Sequence, residues 1–228
     1  MSGSTSLVQH DRDLFSIEHQ LGWQGGLIPI PVRMTVLRLA DGQLILHSPV
    51  PVSPSQEEEL ARIGSVGFIV VPQAHGRFAA QAARQFPKAQ LFAAPFPSRR
   101  QRKLPVHGKL ADWPPASLRG QIDSHLVRGF RLNEVVLFQR SSRTLVLTDL
   151  CFNIHRSTSR VARTFFRANG MWQRFGPSRL IRLAVSDREA FRESVRRILE
   201  WDFERVIPSH GEVLERDGKQ ALREAWLR

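Results

Sequence analysis

The segment of residues 66–78 constrains the fold of this chain more than any other. Residues 66–71 read Val-Gly-Phe-Ile-Val-Val, a run too short for a helix and rich in β-branched side chains, which predicts a strand buried on both faces. Pro72 ends the strand, and apolar residues then recur at helical spacing between residues 78 and 87. His75 therefore lies at the carboxyl end of a buried strand, where open α/β sheets place their ligands.

Two later segments repeat this arrangement of an apolar strand followed by a side chain that can bind a metal. Residues 144–148 form an apolar run that leads into Asp149, and residues 205–208 lead through a serine into His210. We therefore expect His75, Asp149 and His210 to meet at one rim of the folded chain.

The order and setting of these residues resemble the metallo-β-lactamase superfamily, whose metal loop reads His-x-His-x-Asp-His after a buried strand. His75 matches the second His of that loop. Gln73 stands at the position of the first His, Arg77 at that of the Asp, and Phe78 at that of the third His. The resemblance therefore implies a metal loop that has kept one of its four ligands.

The resemblance continues through most of the chain, over residues 34–211. Asp149 matches the bridging carboxylate of the superfamily, and His210 matches its final ligand. The remaining His of the superfamily falls on Phe130 or Arg131. The chain is most similar to a bacterial branch with a degenerate metal site, in which segments such as LHSPV, NEVVLF and TLVLTDL recur.

The resemblance implies an α/β fold, a metallo-β-lactamase-like αββα sandwich of two mixed sheets flanked by helices. The residues themselves predict matching elements: a strand at 14–21, a loop at 22–31, a hairpin of strands 34–39 and 43–48, a capped helix from 53 to 64, and strands at 122–127, 134–139 and 143–148. We expect one domain that spans residues 1–228, with residues 1–12 flexible.

Two amphipathic helices are predicted after Asp149. The first covers residues 158–168, and its apolar and basic faces are Val161, Phe165 and Ala168, and Arg160, Arg163 and Arg167. A capping box from Ser186 to Glu189 predicts the start of the second helix, which ends near Trp201.

The composition is typical of a soluble globular protein, since 228 residues with 42% hydrophobic content suffice for one sizeable core. No run approaches the ~20 apolar residues of a membrane-spanning helix, and the N-terminal region lacks the apolar core of a signal peptide. We therefore expect a cytoplasmic protein with no membrane partner. The single cysteine, Cys151, excludes an internal disulfide and is expected to be a buried, inert thiol.

The formal charge of +12 is compatible with binding to nucleic acid, because basic side chains release counterions when they neutralise phosphates. An exposed basic loop is predicted at residues 98–103, and the basic face of the 158–168 helix adds to it. However, a compositional bias would also produce this charge, since only four of the 33 basic residues are Lys.

Three functions remain open from the sequence. In the first, His75, Asp149 and His210 bind one Zn or Fe ion, and an activated water hydrolyses an ester, amide or phosphoester with Asp149 as the catalytic carboxylate. In the second, no metal binds, and Arg77 pairs with Asp149 in a remnant pocket for a small anionic molecule. The third is a nucleic-acid-binding module without enzymatic activity.

A two-ion centre is not expected. Arg77 stands where an acidic ligand belongs, and it would repel a cation by ~4 kcal/mol per charge pair at ~4 Å. His155 lies near Asp149 in the sequence and is a candidate substitute ligand, but a solvent-exposed histidine is the favoured interpretation, and His47 and His125 have similar standing. Ser48 is not expected to act as a nucleophile, because it lacks the glycines of a nucleophile elbow.

Overall fold

The computed structural model describes residues 6–23, 25–72, 75–95, 104–110, 114–157 and 159–228. Over this part of the chain, two mixed β-sheets pack face to face and helices cover their outer sides. The predicted αββα sandwich is therefore confirmed.

The first sheet has seven strands, which follow one another across the sheet in chain order. They are β1 (Val8–Asp11), β2 (Leu14–Trp23), β3 (Ile28–Arg38), β4 (Gln43–His47), β5 (Ser65–Val71), β6 (Gln90–Ala93) and β7 (Gly108–Lys109). Strands β1 to β4 pair antiparallel, whereas β4 to β7 pair parallel. Because β4 and β5 are parallel neighbours, the residues that follow them emerge side by side at one edge of the sheet.

Strands β2 and β3 form a longer hairpin than expected, and the loop predicted at residues 22–31 is wrong for residues 22–23 and 28–31, with a turn at residues 25–27. The pairing continues as far as Trp23 and includes Pro29 and Pro31. Strand β4 pairs with β3 only from Thr35 onward, so the first half of β3 pairs with no strand at this edge within the described residues. Proline is compatible with such an edge because no partner strand requires its missing N–H.

The expectation of a flexible stretch at residues 1–12 is wrong for residues 8–11. These residues form β1, which pairs antiparallel with β2. The pairing satisfies backbone groups that would otherwise be solvated, so this part of the N-terminal region is ordered.

The second sheet has four strands, and a short two-stranded ribbon lies beside it. The strands of both, in chain order, are β8 (Ile122–Leu126), β9 (Val135–Gln139), β10 (Thr144–Leu147), β11 (Phe152–Asn153), β12 (Phe175–Gly176) and β13 (Arg205–Pro208). Their order is β13-β10-β9-β8 in the sheet, with β11 and β12 forming the ribbon. Since β10 and β13 are parallel, Asp149 and His210 leave the sheet at the same edge.

Six α-helices of the described part of the chain surround the sheets. They are α1 (Pro54–Ile63), α2 (Ala79–Gln85), α3 (Arg160–Ala168), α4 (Arg179–Arg182), α5 (Arg188–Ile198) and α6 (Gly218–Leu227), and a short 3-10 helix spans Ala116–Leu118. Helices α1 and α2 cover the outer face of the first sheet, and α5 and α6 cover that of the second. Among the described residues, no helix has the length and hydropathy required to cross a bilayer.

Local capping signals locate the helix starts well. Ser53 and Gln56 form the predicted capping box of α1. In α5 the capping residue is Asp187, whose carboxylate accepts from two backbone N–H groups, and the predicted cap at Ser186 is wrong by one residue. The Ser186 hydroxyl instead donates to the carbonyl of Gly129.

The predicted apolar face of α3 is also displaced by one residue. Ala162 and Phe166 are fully buried, whereas Val161 is 59% exposed. Phe165 lies between these two directions and lines a cavity. The buried side chains of α3 pack against β3 and against Phe152, Ile154 and Met171, and these neighbours determine which face is covered.

We expect Phe166→Ala to lower the free energy of unfolding by about 3–5 kcal/mol, because it empties a fully buried site. Val161→Ala on the same helix should cost less than about 0.5 kcal/mol, because this side chain is exposed. Urea unfolding of both variants checks the orientation of α3. Equal losses, or a larger loss for Val161→Ala, would contradict it.

Candidate metal centre

Three strand ends meet at one cavity. His75, Asp149 and His210 follow β5, β10 and β13, and all three line the same cavity. Nε2 of His75 lies 3.6 Å from one carboxylate oxygen of Asp149, and Nε2 of His210 lies 3.2 Å from the other. One potential ligand atom from each residue lies within 4.8 Å of the other two. The structure thus brings together the three side chains that the sequence singles out.

The second nitrogen of each ring is already bonded within the protein. Oγ of Ser48 lies 2.6 Å from Nδ1 of His75, and Nδ1 of His210 donates to the carbonyl oxygen of Pro31 at 2.8 Å. Because a carbonyl can only accept, Nδ1 of His210 carries a proton. In both rings it is therefore Nε2 that faces Asp149. Hydrogen bonds of this kind orient metal-binding histidines in proteins.

The distances in this cluster suit a metal ion with nitrogen and oxygen ligands. Two ligands of a tetrahedral zinc ion, each at about 2.0–2.2 Å, lie about 3.4 Å from each other. The separations between the imidazole nitrogens and Asp149, 3.2 Å to one carboxylate oxygen and 3.6 Å to the other, lie on either side of that value. Imidazole and carboxylate donors are typical of zinc and of non-haem iron sites. The residues present therefore fit one such ion.

Glu134 fixes the backbone that carries Asp149. Its carboxyl group is 1% exposed and accepts from the backbone N–H groups of Thr148, at 2.7 Å, and of Asp149, at 3.1 Å. Burial, and then the nearby charge of Asp149, raise the pKa of Glu134 to about 8. The pKa of Asp149 itself lies below its usual range: burial alone would raise it, but the His75 and His210 rings outweigh burial.

The turn at His210 requires glycine at the next position. Gly211 has a φ of +93°, and a Cβ atom there would lie 2.2 Å from the carbonyl oxygen of Asn153. This close approach allows the backbone N–H of Asn153 to bond the His210 carbonyl at 3.0 Å. The Phe152 ring stacks on the His210 ring, with centroids 5.1 Å apart. His210 is therefore fixed from its backbone, its Nδ1 and one ring face.

The other ligand positions implied by the resemblance have different environments. Phe130 is 4% exposed and packs on Phe191, with ring centroids 5.6 Å apart. The backbone N–H of Arg131 bonds the carbonyl of Ala184. Phe78 lines the cavity with an aromatic edge, and Gln73 lies outside the described residues. Within the described part of the chain, a second ion therefore has no ligand set of its own.

Arg77 does not form the ion pair with Asp149 that the metal-free alternative requires. Of these two described residues, Asp149 pairs with the imidazoles instead. The exposed Arg77 guanidinium lies 5.8 Å from the centroid of the Phe78 ring. It also lines the cavity and, after burial, is the next cause of the lowered pKa of His19. Its charge is therefore available at the cavity wall.

Two residues beside His75 were underrated from the sequence. The sequence gives no reason to expect Ser48 as a nucleophile, but its hydroxyl orients His75. The backbone of Ser48 has a φ of +60°, and a hydrogen bond from its N–H to the Val70 carbonyl stabilises this conformation. The parallel pairing of β4 with β5 was the signal that could have identified it. His47 is fully buried, so the expectation of a solvent-exposed histidine is wrong at this position. Within the described residues neither of its ring nitrogens has a hydrogen-bond partner. Burial, and then His75, lower the pKa of His47 to about 3, so the ring is neutral.

The other residues with a predicted environment lie outside the cluster of His75, Asp149 and His210. Cys151 is fully buried, and burial raises the pKa of its thiol, so the prediction of an inert cysteine is confirmed. His155 is exposed and bonds Asn153 outside the cluster, as expected. His125 lies partly buried on the second sheet. The basic loop predicted at residues 98–103 lies outside the described residues.

Comparison with known proteins supports the fold. Residues 13–174 match the family model described as "Domain of unknown function (DUF4336)". A search of curated proteins found no match. Among solved structures, a metallo-β-lactamase from Pontibacter korlensis is similar over 100% of both chains, with a TM-score of 0.63 and 12% identity. One from Hirschia baltica is similar over 97% of this chain and 96% of its own, with a TM-score of 0.64 and 12% identity.

A flavoprotein from Thermotoga maritima has the same fold over part of its length. It is similar over 99% of this chain and 61% of its own, with a TM-score of 0.65 and 11% identity. At such identities the likeness establishes the fold alone. This fold is that of the metallo-β-lactamase superfamily.

We expect Glu134→Gln to lower the free energy of unfolding by about 1–3 kcal/mol at pH 5. The new NH₂ group is a donor that faces a backbone N–H, so one of the two hydrogen bonds that Glu134 accepts is lost. The pKa of Glu134 is raised in the folded state, so its contribution is complete below about pH 4.5 and declines as the pH rises towards about 8. The stability difference between wild type and Glu134→Gln should therefore shrink over this range.

Urea unfolding of both proteins between pH 5 and pH 8.5 measures this stability difference. Groups that titrate equally in both proteins make no contribution to it. Glu200→Gln is the matched control, because Glu200 is exposed. A difference that stays constant with pH, or a Glu134→Gln variant as stable as Glu200→Gln, would contradict the assigned environment of Glu134.

Proposed function

We propose that this chain, which belongs to the family described as "Domain of unknown function (DUF4336)" and has the metallo-β-lactamase fold, is a hydrolase that uses one metal ion. His75, Asp149 and His210 would bind this ion, either zinc or iron. The observation that supports the proposal is the state of the two imidazoles: each Nδ1 is bonded within the protein and each Nε2 faces Asp149. Both rings are thus oriented as ligands before any ion binds.

When bound, such an ion would supply Lewis acidity and lower the pKa of a water molecule towards ~7. The protein's own groups have separate tasks. Ser48 orients His75, and the carbonyl of Pro31 orients His210. Asp149, with its lowered pKa, contributes a carboxylate that is ionised at neutral pH. Three protein ligands leave room for water, which is the arrangement of catalytic rather than structural zinc sites.

The alternatives have less support. A remnant pocket without metal was to be stabilised by pairing of Arg77 with Asp149, and this pair does not form between them. The nucleic-acid alternative depends on the loop at residues 98–103, which lies outside the described residues, and on Arg160, Arg163 and Arg167. Arg167 lies over the Trp172 ring at 5.7 Å. Nucleic-acid binding therefore stays a prediction from composition.

Arg77 gives the proposed reaction a preference for anionic compounds. Its guanidinium is exposed at the cavity wall, on the loop that also carries His75. A carboxylate or phosphate on the substrate would pair with it while the scissile group lies near Asp149. The substrate would then be a small anionic ester, amide or phosphoester.

Protein purified with zinc or ferrous salt should contain about one equivalent of metal, because three ligands converge on one position. His75→Ala and His210→Ala should each lose at least about tenfold in metal affinity. His125→Ala is the matched control and should retain the metal, because His125 lies on β8, away from the cluster. Metal analysis by mass spectrometry after dialysis makes the measurement. Less than about a tenth of an equivalent in wild-type protein would overturn the proposal.

We expect Arg77→Gln to raise the KM for a carboxylated nitrophenyl ester about fivefold, because one partly screened ion pair of about 1 kcal/mol is lost. The KM for a neutral nitrophenyl ester should not change. Arg62→Gln, an exposed position on α1, serves as the control. Steady-state kinetics of the metal-loaded proteins makes the comparison. An equal effect on both esters would show that Arg77 does not select for charge.

A further inference from the structure

The cavity beside the candidate metal centre has two chemically distinct parts. Its volume is about 280 Å³. Ser48, His75, Asp149 and His210 form a polar corner. The walls away from this corner are apolar, and their main residues are Trp23, Ile30, Val32, Phe165, Met171 and Ile181.

These walls come from segments that meet only in the folded chain. The β2–β3 hairpin contributes one side, and α3, α4 and the loop between them contribute the other. The rings of Trp23 and Phe165 close the contact between the two sides, with centroids 5.1 Å apart. Trp23 is 37% exposed and Leu180 is 52% exposed, so these two side chains mark the mouth of the cavity.

Few of the residues that line the cavity can carry a charge. Among the described lining residues, the titratable ones are the three of the polar corner and Arg77. The hydroxyl of Ser178, a further polar group in the lining, caps the backbone of Ile181 and is thereby satisfied. A polar group of a ligand that lay against the apolar walls would lose its hydration without gaining a partner. The cavity therefore favours a ligand with one polar end and one hydrocarbon end.

We propose that the cavity binds the hydrocarbon chain of an acyl compound, a carboxylic ester or amide whose carbonyl group lies at the polar corner. This assignment names the substrate class of the proposed hydrolase and rests on that function for the reaction, although binding of the chain does not require it. In the reaction, the oxygen of water bonds to the acyl carbon, the bond to the alcohol or amine breaks, and a proton passes to the leaving group. The acyl product is a carboxylate of the same chain length.

The volume limits the length of the chain. About nine water molecules would fill 280 Å³ at their liquid share of about 30 Å³ each. A methylene group is slightly smaller than that share. A saturated chain of about eight to ten carbons therefore fills the cavity, and further carbons would extend past Trp23 and Leu180 into solvent.

Alkyl carboxylates from four to twelve carbons, the acyl products, serve as probes of the purified protein by isothermal titration calorimetry. Affinity should rise about fourfold per methylene up to about eight to ten carbons and then level off, because each buried methylene contributes a constant increment. Affinity that does not depend on chain length would overturn the proposal.

Ile181→Trp and Leu183→Trp form a matched pair, since Ile181 lies in α4 and Leu183 directly follows this helix. Ile181 lines the cavity, whereas Leu183 is 74% exposed. The chain length at which affinity stops rising should be shorter by at least about two carbons in Ile181→Trp. It should be unchanged in Leu183→Trp. If Ile181→Trp fails to fold, as its thermal unfolding would show, Phe165→Ala replaces it and should raise the limit instead. An unchanged limit in the folded wall variant would overturn the proposal.

Two further measurements separate this inference from the proposed function. In His210→Ala, the dependence of affinity on chain length should persist while ester hydrolysis is lost. Persistence of that dependence in metal-loaded wild type that hydrolyses no ester would sink the hydrolase and support the binding site. Hydrolysis of nitrophenyl esters at a rate that does not depend on acyl length would support the hydrolase and overturn the acyl-chain site.

Discussion

The contact between β3 and the end of β13 is the interaction on which the site depends. The backbone N–H of Arg33 donates to the carbonyl of Ser209 at 2.8 Å, and its buried guanidinium donates to that of Pro208 at 2.8 Å. This junction joins the two sheets and places Pro31 beside His210, so that the Pro31 carbonyl takes the Nδ1 proton. Without it, the ligands from the two sheets would have no fixed separation.

The junction leaves a polar corner next to an apolar cavity. Buried imidazoles are costly unless both ring nitrogens are bonded, and Ser48 and Pro31 bond the nitrogens that do not face Asp149. Glu134 accepts from the backbone N–H of Asp149 and so fixes the chain that carries the buried carboxylate. The long β2–β3 hairpin, which continues past the end of β4, supplies the apolar wall opposite. Orientation of the proposed ligands and selection of an acyl chain thus depend on the same strand, β3.

The sequence located most elements and the three clustered side chains, and its errors have local physical causes. Most of the segment predicted as a loop at residues 22–31 is part of a hairpin, because an edge of β3 that pairs with no strand within the described residues accepts Pro29 and Pro31. The buried face of α3 is formed by Ala162 and Phe166, which face β3 and the segments that carry Phe152 and Met171. Periodicity reveals neither feature, since both depend on which segments become neighbours.

By itself, the sequence determined which strands are buried, where they end, and that His75, Asp149 and His210 follow three such ends. Those features are local: β-branched runs, proline and glycine act over a few residues. Only the tertiary structure decided that Ser48 orients His75, that Arg77 is not paired with Asp149, and that an apolar cavity adjoins the cluster. These contacts join residues far apart in the chain, and pairing between sheets, rather than local propensity, sets their distances.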